Sequence, residues 1–344
     1  MMLRHSNRIS FATGALPLLF GALVMAACSG SQPHPEEPAP TPAPAPPAAP
    51  EATEVAAPAP APEAPKAPEP PPPPAPVWSF SEGISTPESV LYDAANDRYL
   101  VSNINGKPNE TDNNGFISLL SPEGQLVTLK FIAGGENKVK LDAPKGSGIH
   151  QGVLYVADIT VVRKFDLKTG APKGDIPIPG STFLNDISVA PDGRVFVSDS
   201  GWKFGAKGME TTQTDAIYVI KNNKVTPLAK STELAQPNGL LFTEKGLLVG
   251  TGGKKEIYRL DEKGVRHDVT QVSDGFIDGI ALAGDKLLVS SWNSNTVFRG
   301  TLGGTFEPLV WQVSAPADIG FDSKRSRLLV PRFNDNLIQV YEVK

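Results

Sequence analysis

One cysteine, Cys28, stands in a chain of 344 residues. Without a second thiol there is no disulfide framework, and a zinc site built on cysteine is excluded. Histidine is also scarce: of four in the chain, only His150 and His267 lie beyond residue 77. No Ser/His/Asp triad can be assembled from their positions. No Gly-rich loop opens a helix, so nucleotide binding through a phosphate loop has no support. An excess of positive charge is missing too. The chain carries a net charge of −5, and residues 77–344 hold 29 basic and 31 acidic side chains, a net of −2. Bulk electrostatic attraction to nucleic acid, which needs a basic surface, is therefore excluded. Beyond the first 30 residues no run sustains a helical period.

Proline, by contrast, is abundant and concentrated. Of 34 prolines, 20 fall in residues 33–76, together with six glutamates, one lysine and no aromatic residue. Such a segment has too little to bury to offset the entropy of ordering. In a polyproline II conformation, at ~3.1 Å per residue, it reaches roughly 140 Å at most, which suits a tether. Ahead of it, MMLRHSNR is followed by the apolar run ISFATGALPLLFGALVMAA and then Cys28. The layout of a basic start, an apolar run and small residues is that of a secretory signal. The run is also long enough to be weighed as a membrane-spanning anchor. Met25-Ala26-Ala27-Cys28 resembles a bacterial lipobox, which implies cleavage before Cys28 and its lipidation. Ser29 at the next position, by the same resemblance, implies sorting to the outer membrane, facing the periplasm or the surface. The expected organisation is thus a signal peptide over 1–27, a tether over 28–76 and one folded domain over 77–344.

That domain repeats one unit six times. The copies open with PESVLYDAANDRYLVSN (87–103), PKGSGIHQGVLYVAD (144–158), LNDISVAPDGRVFVSD (184–199), PNGLLFTEKGLLVGT (237–251), IDGIALAGDKLLVSS (277–291) and PADIGFDSKRSRLLVPR (316–332). Each pairs two strand-like runs across a turn and is followed by a further β-rich run. Four short strands every 40 or so residues, six times over, predict an all-β six-bladed propeller. The last copy lacks a fourth strand, and VWSFSEG (77–83) is available to supply it, closing the ring from the N-terminal side.

Aligned on their opening, the copies give a ring of residues at one position: Glu88, Lys145, Asn185, Asn238, Asp278 and Ala317. The first strand of a blade lines the central channel, so this ring is expected at one channel mouth. The long second-to-third strand loops, Asn103–Gly115 and Gly201–Asp215, emerge on the same face. The second of these carries Trp202, Phe204 and Met209, and could overhang the mouth as a lid. Carboxylate and amide oxygens at this mouth suit a hard divalent cation, calcium before zinc, magnesium or manganese. Against this, Asn and Asp at strand starts commonly cap turns. His150 falls on a first-to-second strand turn, expected at the opposite face.

PESVLYD, LNDISVAPDGRVFVSD, QPNGLLF and FIDGIAL resemble the metal-site blades of the regucalcin/gluconolactonase family, which includes luciferin-regenerating enzyme. The resemblance implies a six-bladed propeller with one divalent cation at the mouth and hydrolysis of lactones or related esters. It places the metal ligands on Glu88, Asn238 and Asp278. Asp278, beside the metal, is the candidate to take the proton from the attacking water. It puts a substrate- or water-contacting residue on Asn185. Lys145 and Trp202 join Asn185 as candidate substrate contacts. The chain departs from the family where Glu-Gly-Pro becomes Glu88-Ser89-Val90, and where a basic residue expected two before Asn185 is Phe183. That second departure disfavours a plain sugar lactone. The phrase LYVADITVVRKFD also resembles NHL repeats, whose propellers bind ligands without turnover. Two readings follow. One is a lipid-anchored envelope hydrolase of a small-molecule lactone or ester. The other is a non-catalytic propeller that binds a ligand or an envelope component. A sugar or quinone oxidoreductase on the same fold is a third, with no residue here announcing its cofactor. Neither of the first two involves nucleic acid.

Overall fold

The computed structural model describes residues 71–344 except Ala206. The expected signal segment, Cys28 and the tether to residue 70 lie outside the described residues. No helix among the described residues is long and apolar enough to cross a membrane.

Among the described residues, six four-stranded antiparallel sheets follow one another. Blade 1 comprises Pro87–Asp93, Arg98–Asn103, Phe116–Leu120 and Leu126–Ala133. The innermost strands of blades 2 to 5 are Pro144–His150, Leu184–Val189, Pro237–Thr243 and Ile277–Ala283. Each innermost strand touches that of the next blade, and the innermost strands of blades 6 and 1 meet to complete the circle. The Glu88 carbonyl accepts from the Asp318 amide at 2.8 Å, and the Asp318 carbonyl from the Val90 amide at 3.3 Å.

The closure expected from the sequence is present. Blade 6 is built from Gly320–Asp322, Arg327–Arg332 and Leu337–Glu342, and its outer strand is Trp78–Phe80 from the other end of the domain. Trp78 opposes Val340 and Phe80 opposes Ile338. The Trp78 indole donates to the Pro122 carbonyl at 2.9 Å and its ring stacks 6.1 Å from Tyr99. Gly124, in the Pro-Glu-Gly turn of blade 1, has φ +83°, and any Cβ there would meet the Trp78 ring at 2.6 Å. That turn needs glycine both for its left-handed backbone and for the seam.

The alternation of strand side chains places one apolar set on each blade face. Six buried clusters result, one at each blade-to-blade contact. Between blades 6 and 1 lie Val90, Tyr99, Val101, Leu329, Ile338 and Val340. Between blades 2 and 3 lie Val162, Ile176, Leu184, Val195 and Val197. At about 1.5–3 kcal/mol for each fully buried aliphatic side chain, these contacts hold the ring together.

Candidate active site at the channel mouth

The ring residues are set by a local irregularity that the repeat carries. In blades 1 to 5 the pairing of the first two strands shifts register at the ring position: Pro87/Ser89, Pro144/Ser147, Leu184/Ile187, Pro237/Leu240 and Ile277/Ile280. A bulge of this kind re-aims a side chain out of the sheet plane. In blades 3 and 5 the amide it frees is taken up by the serine of the second strand: Asp186 N–H donates to Ser198 Oγ at 2.9 Å and Gly279 N–H to Ser290 Oγ at 2.7 Å. The residue after the ring position is glycine in blades 2, 4 and 5. A Cβ at Gly239 would meet the Asp278 carbonyl at 2.1 Å, so blades 4 and 5 approach closely there. This proximity brings Asn238 and Asp278 side by side.

One cavity of about 270 Å³ contains the predicted site. Glu88, Lys145, Asn185, Asn238 and Asp278 form its polar floor, and Trp202 its wall. Ala317, the sixth ring residue, is buried but does not line it. Both long loops overhang the cavity as expected, the first through Ile104 and Pro108, the second through Phe204 and Met209. The second is more ordered than a loop: Trp202–Gly205 and Gly208–Thr211 form a small antiparallel hairpin, whose second strand opens on Gly208 at φ +101°.

Three floor oxygens are buried and have no hydrogen-bond partner: Glu88 Oε2, Asn238 Oδ1 and Asp278 Oδ1. They belong to the three residues expected to hold a cation. Orphaned buried acceptors are rare and costly, and three of them on residues that line one cavity fit an oxygen-ligand site. Among the described residues no cluster of three or more His, Cys, Asp or Glu is arranged for a metal; this set reaches three only through the Asn238 amide oxygen. The other Asp278 oxygen accepts from the Trp292 indole at 2.5 Å. Asn185 donates its Nδ2 to Ser200 Oγ at 3.0 Å, and Ser200 in turn donates to the Pro237 carbonyl at 2.8 Å. This fixes the orientation of the amide. Lys145 Nζ donates to the Ala143 carbonyl at 3.1 Å and sits 4.4 Å from the centre of the Phe183 ring.

Burial dominates the electrostatics. It raises Glu88 well above the usual carboxylate range, with Asp278 and Asp318 adding to the rise and Lys145 opposing it. Burial and then Asp318 push Asp278 up to about 8. Burial pulls Lys145 down to about 8 against the attraction of Glu88. A bound divalent cation would favour the ionised carboxylates again.

Sequence reasoning missed a second set of acids one residue further along the inner strands. Asp186 takes the Ile187 and Leu240 amides, both at 2.6 Å, tying blade 3 to blade 4. Asp318 takes the Ser89 hydroxyl at 2.6 Å, tying blade 6 to blade 1. It also missed three wall residues, Phe276, Trp292 and Phe333. The repeat alignment contained their signal. Phe276 stands two before Asp278, as Phe183 stands two before Asn185. Trp292 and Phe333 each directly follow a second strand, as Ile104 does. Neither His150 nor His267 reaches the cavity: His150 ends the first strand of blade 2, and His267 Nε2 lies 2.9 Å from Asp261 Oδ2.

No protein-family model matches the chain, and no curated protein does. Solved structures share its fold. A gluconolactonase from Xanthomonas campestris is 17% identical, with a TM-score of 0.55 over 74% of this chain and 86% of that one. Luciferin-regenerating enzyme is 13% identical, with a TM-score of 0.57 over 76% and 93%. A virginiamycin B lyase from Staphylococcus aureus is 15% identical, with a TM-score of 0.52 over 76% and 96%. At these identities the likeness establishes the propeller fold, and function must be argued from the site.

Proposed function

We propose that the chain is an envelope-tethered hydrolase of a lactone or related ester, dependent on one divalent cation, calcium before the others. The observation that carries this reading is the set of unpartnered oxygens Glu88 Oε2, Asn238 Oδ1 and Asp278 Oδ1, contributed by blades 1, 4 and 5 to one cavity floor. A cation held there would polarise the ester carbonyl and stabilise the charge that develops on its oxygen. The chain's own groups do the rest. Asn185 offers a fixed carbonyl oxygen to orient a water or a substrate hydroxyl. Lys145 keeps N–H donors beyond the one given to Ala143, and these can meet the carbonyl oxygen or an anionic group of the product. Asp278 takes the proton of the attacking water, while the Trp292 indole holds its second oxygen in place. The apolar walls lower the local polarity, which strengthens each of these interactions. The lipobox-like Cys28 and the Pro/Ala stretch support anchoring in a bacterial envelope membrane, through a lipid and a tether.

The experiment is a lactone and ester panel run on the purified chain with added calcium and with chelator. Hydrolysis that chelator abolishes and calcium restores supports the proposal. Calcium binding without hydrolysis of any panel member favours the ligand-binding propeller instead.

A further inference from the structure

Above the polar floor the cavity changes character completely. Its walls are Phe183, Trp202, Phe204, Phe276, Trp292 and Phe333, completed by Ile104, Pro108 and Met209. The six rings form an unbroken series. Phe204 lies 5.6 Å from Phe183, Phe183 5.4 Å from Trp202, Trp202 5.4 Å from Phe276, Phe276 5.7 Å from Trp292 and Trp292 5.0 Å from Phe333. Such spacings are those of favourable offset and edge contacts.

Three details show that this belt is apolar and built in. Both indole donors are already engaged, Trp202 Nε1 with Gln236 Oε1 at 2.9 Å and Trp292 Nε1 with Asp278. No wall residue carries a hydroxyl, amide or charge. The belt is also built in. Phe276 holds a left-handed backbone, φ +59°, which bulky residues rarely adopt, and its ring lies nearly parallel to Trp202 at 15°. Thr86, Gln236 and Ala315 share that backbone at the same repeat position, so the fold supplies the turn while this chain fills it with an aromatic ring. Gly252 leaves room for the Trp202 ring: a Cβ there would meet it at 2.7 Å.

We infer that the cavity takes an uncharged ester or lactone carrying an aromatic ring, with its carbonyl on the floor and its ring against the belt. The inference rests on reading the floor as the carbonyl end, and it names the substrate class of that same site. A polyhydroxylated sugar lactone would lose water from its hydroxyls and find no partner in the walls, which penalises binding steeply. A cavity near 270 Å³ is at the small end of ligand sites, so one fused ring pair with its ester group is the scale to expect.

The test is binding rather than turnover, so that it can succeed or fail independently of hydrolysis. N-methyl-2-naphthamide, an uncleavable stand-in for an aryl ester, and D-gluconamide are titrated against the full chain, following tryptophan fluorescence. The naphthamide is expected to quench saturably and to bind at least about tenfold more tightly than gluconamide. Phe204→Ser, on the half-exposed hairpin where folding is not at stake, and Phe276→Leu should each weaken the naphthamide several-fold and leave gluconamide unchanged. Naphthamide binding as expected in a chain that hydrolyses nothing would sink the hydrolase reading and leave the ligand class standing. Gluconamide binding as tightly as the naphthamide, or naphthamide affinity indifferent to both substitutions, would overturn the inference even if some lactone is hydrolysed.

Discussion

Two layers of acids lie one residue apart in the same channel, and they differ in what remains of their hydrogen-bonding capacity. In the deeper layer, Asp186 gives both oxygens to backbone amides of two blades, and Asp318 takes a hydroxyl from blade 1 on one of its oxygens. In the layer at the mouth, Glu88 and Asp278 each have a fully buried oxygen with no partner. All four are buried, and burial raises the pKa of each. Burial and charge alone therefore do not separate the structural acids from the candidate functional ones. Fully buried oxygens left without a partner do.

The comparison can be broken most severely at Asp278. Asp278→Asn keeps the volume and one oxygen but removes the base, so hydrolysis should fall about 10²–10⁴-fold while the melting temperature barely moves. Undiminished turnover at saturating calcium would show that the proton goes elsewhere. Removing residues 77–83 takes away the strand that closes blade 6, along with Trp78 and its indole bond. The domain should lose several kcal/mol by chemical denaturation, whereas removing 33–70 should cost nothing measurable. Equal stability of the two truncations would refute ring closure as a stabilising device. In the deeper layer, Asp186→Ala leaves the Ile187 and Leu240 amides without an acceptor and should destabilise by about 2–4 kcal/mol, the reverse of the Asp278 pattern.

The smallest expected effect is that of pH on the chelated protein. Carboxyls whose folded pKa is raised stabilise the fold below the ordinary carboxylate pKa of about 4, and that contribution is lost as pH rises. Asp318 and Asp278 lie at about 7 and about 8, so the melting temperature should decline between about pH 4 and 8. Lys145, pulled down to about 8, titrates only at the upper edge of that window. Calcium should offset the decline, more strongly at the alkaline end. A melting temperature flat across this range in chelator would contradict the picture of protonated carboxyls in the cation-free channel.

The architecture was legible because the repeat is written in the sequence. The period gave six blades, the incomplete last copy pointed to residues 77–83, and alignment on the opening residue placed Glu88, Lys145, Asn185, Asn238 and Asp278 in one layer. What was not legible depends on neighbours in space. The ties made by Asp186 and Asp318 run between blades, and no periodicity within one copy shows them. The hairpin over 202–211 hides in a stretch whose exposed strands have no apolar alternation. Phe276, Trp292 and Phe333 sit at two repeat positions just outside the strands. Most other copies place residues such as Thr86, Ser200 or Gly252 there, so the belt becomes visible only when the blades are arranged around the channel.

The central claim is that the unpartnered oxygens of the mouth layer hold a divalent cation, and calorimetric titration of calcium into the chelator-stripped chain tests it most directly. One site per chain is expected, weakened at least about tenfold by Glu88→Gln and by Asn238→Ala and little changed by Asp318→Asn one layer below. Calcium affinity that survives Glu88→Gln and Asn238→Ala intact, or no calcium binding at all to the wild-type chain, would contradict it.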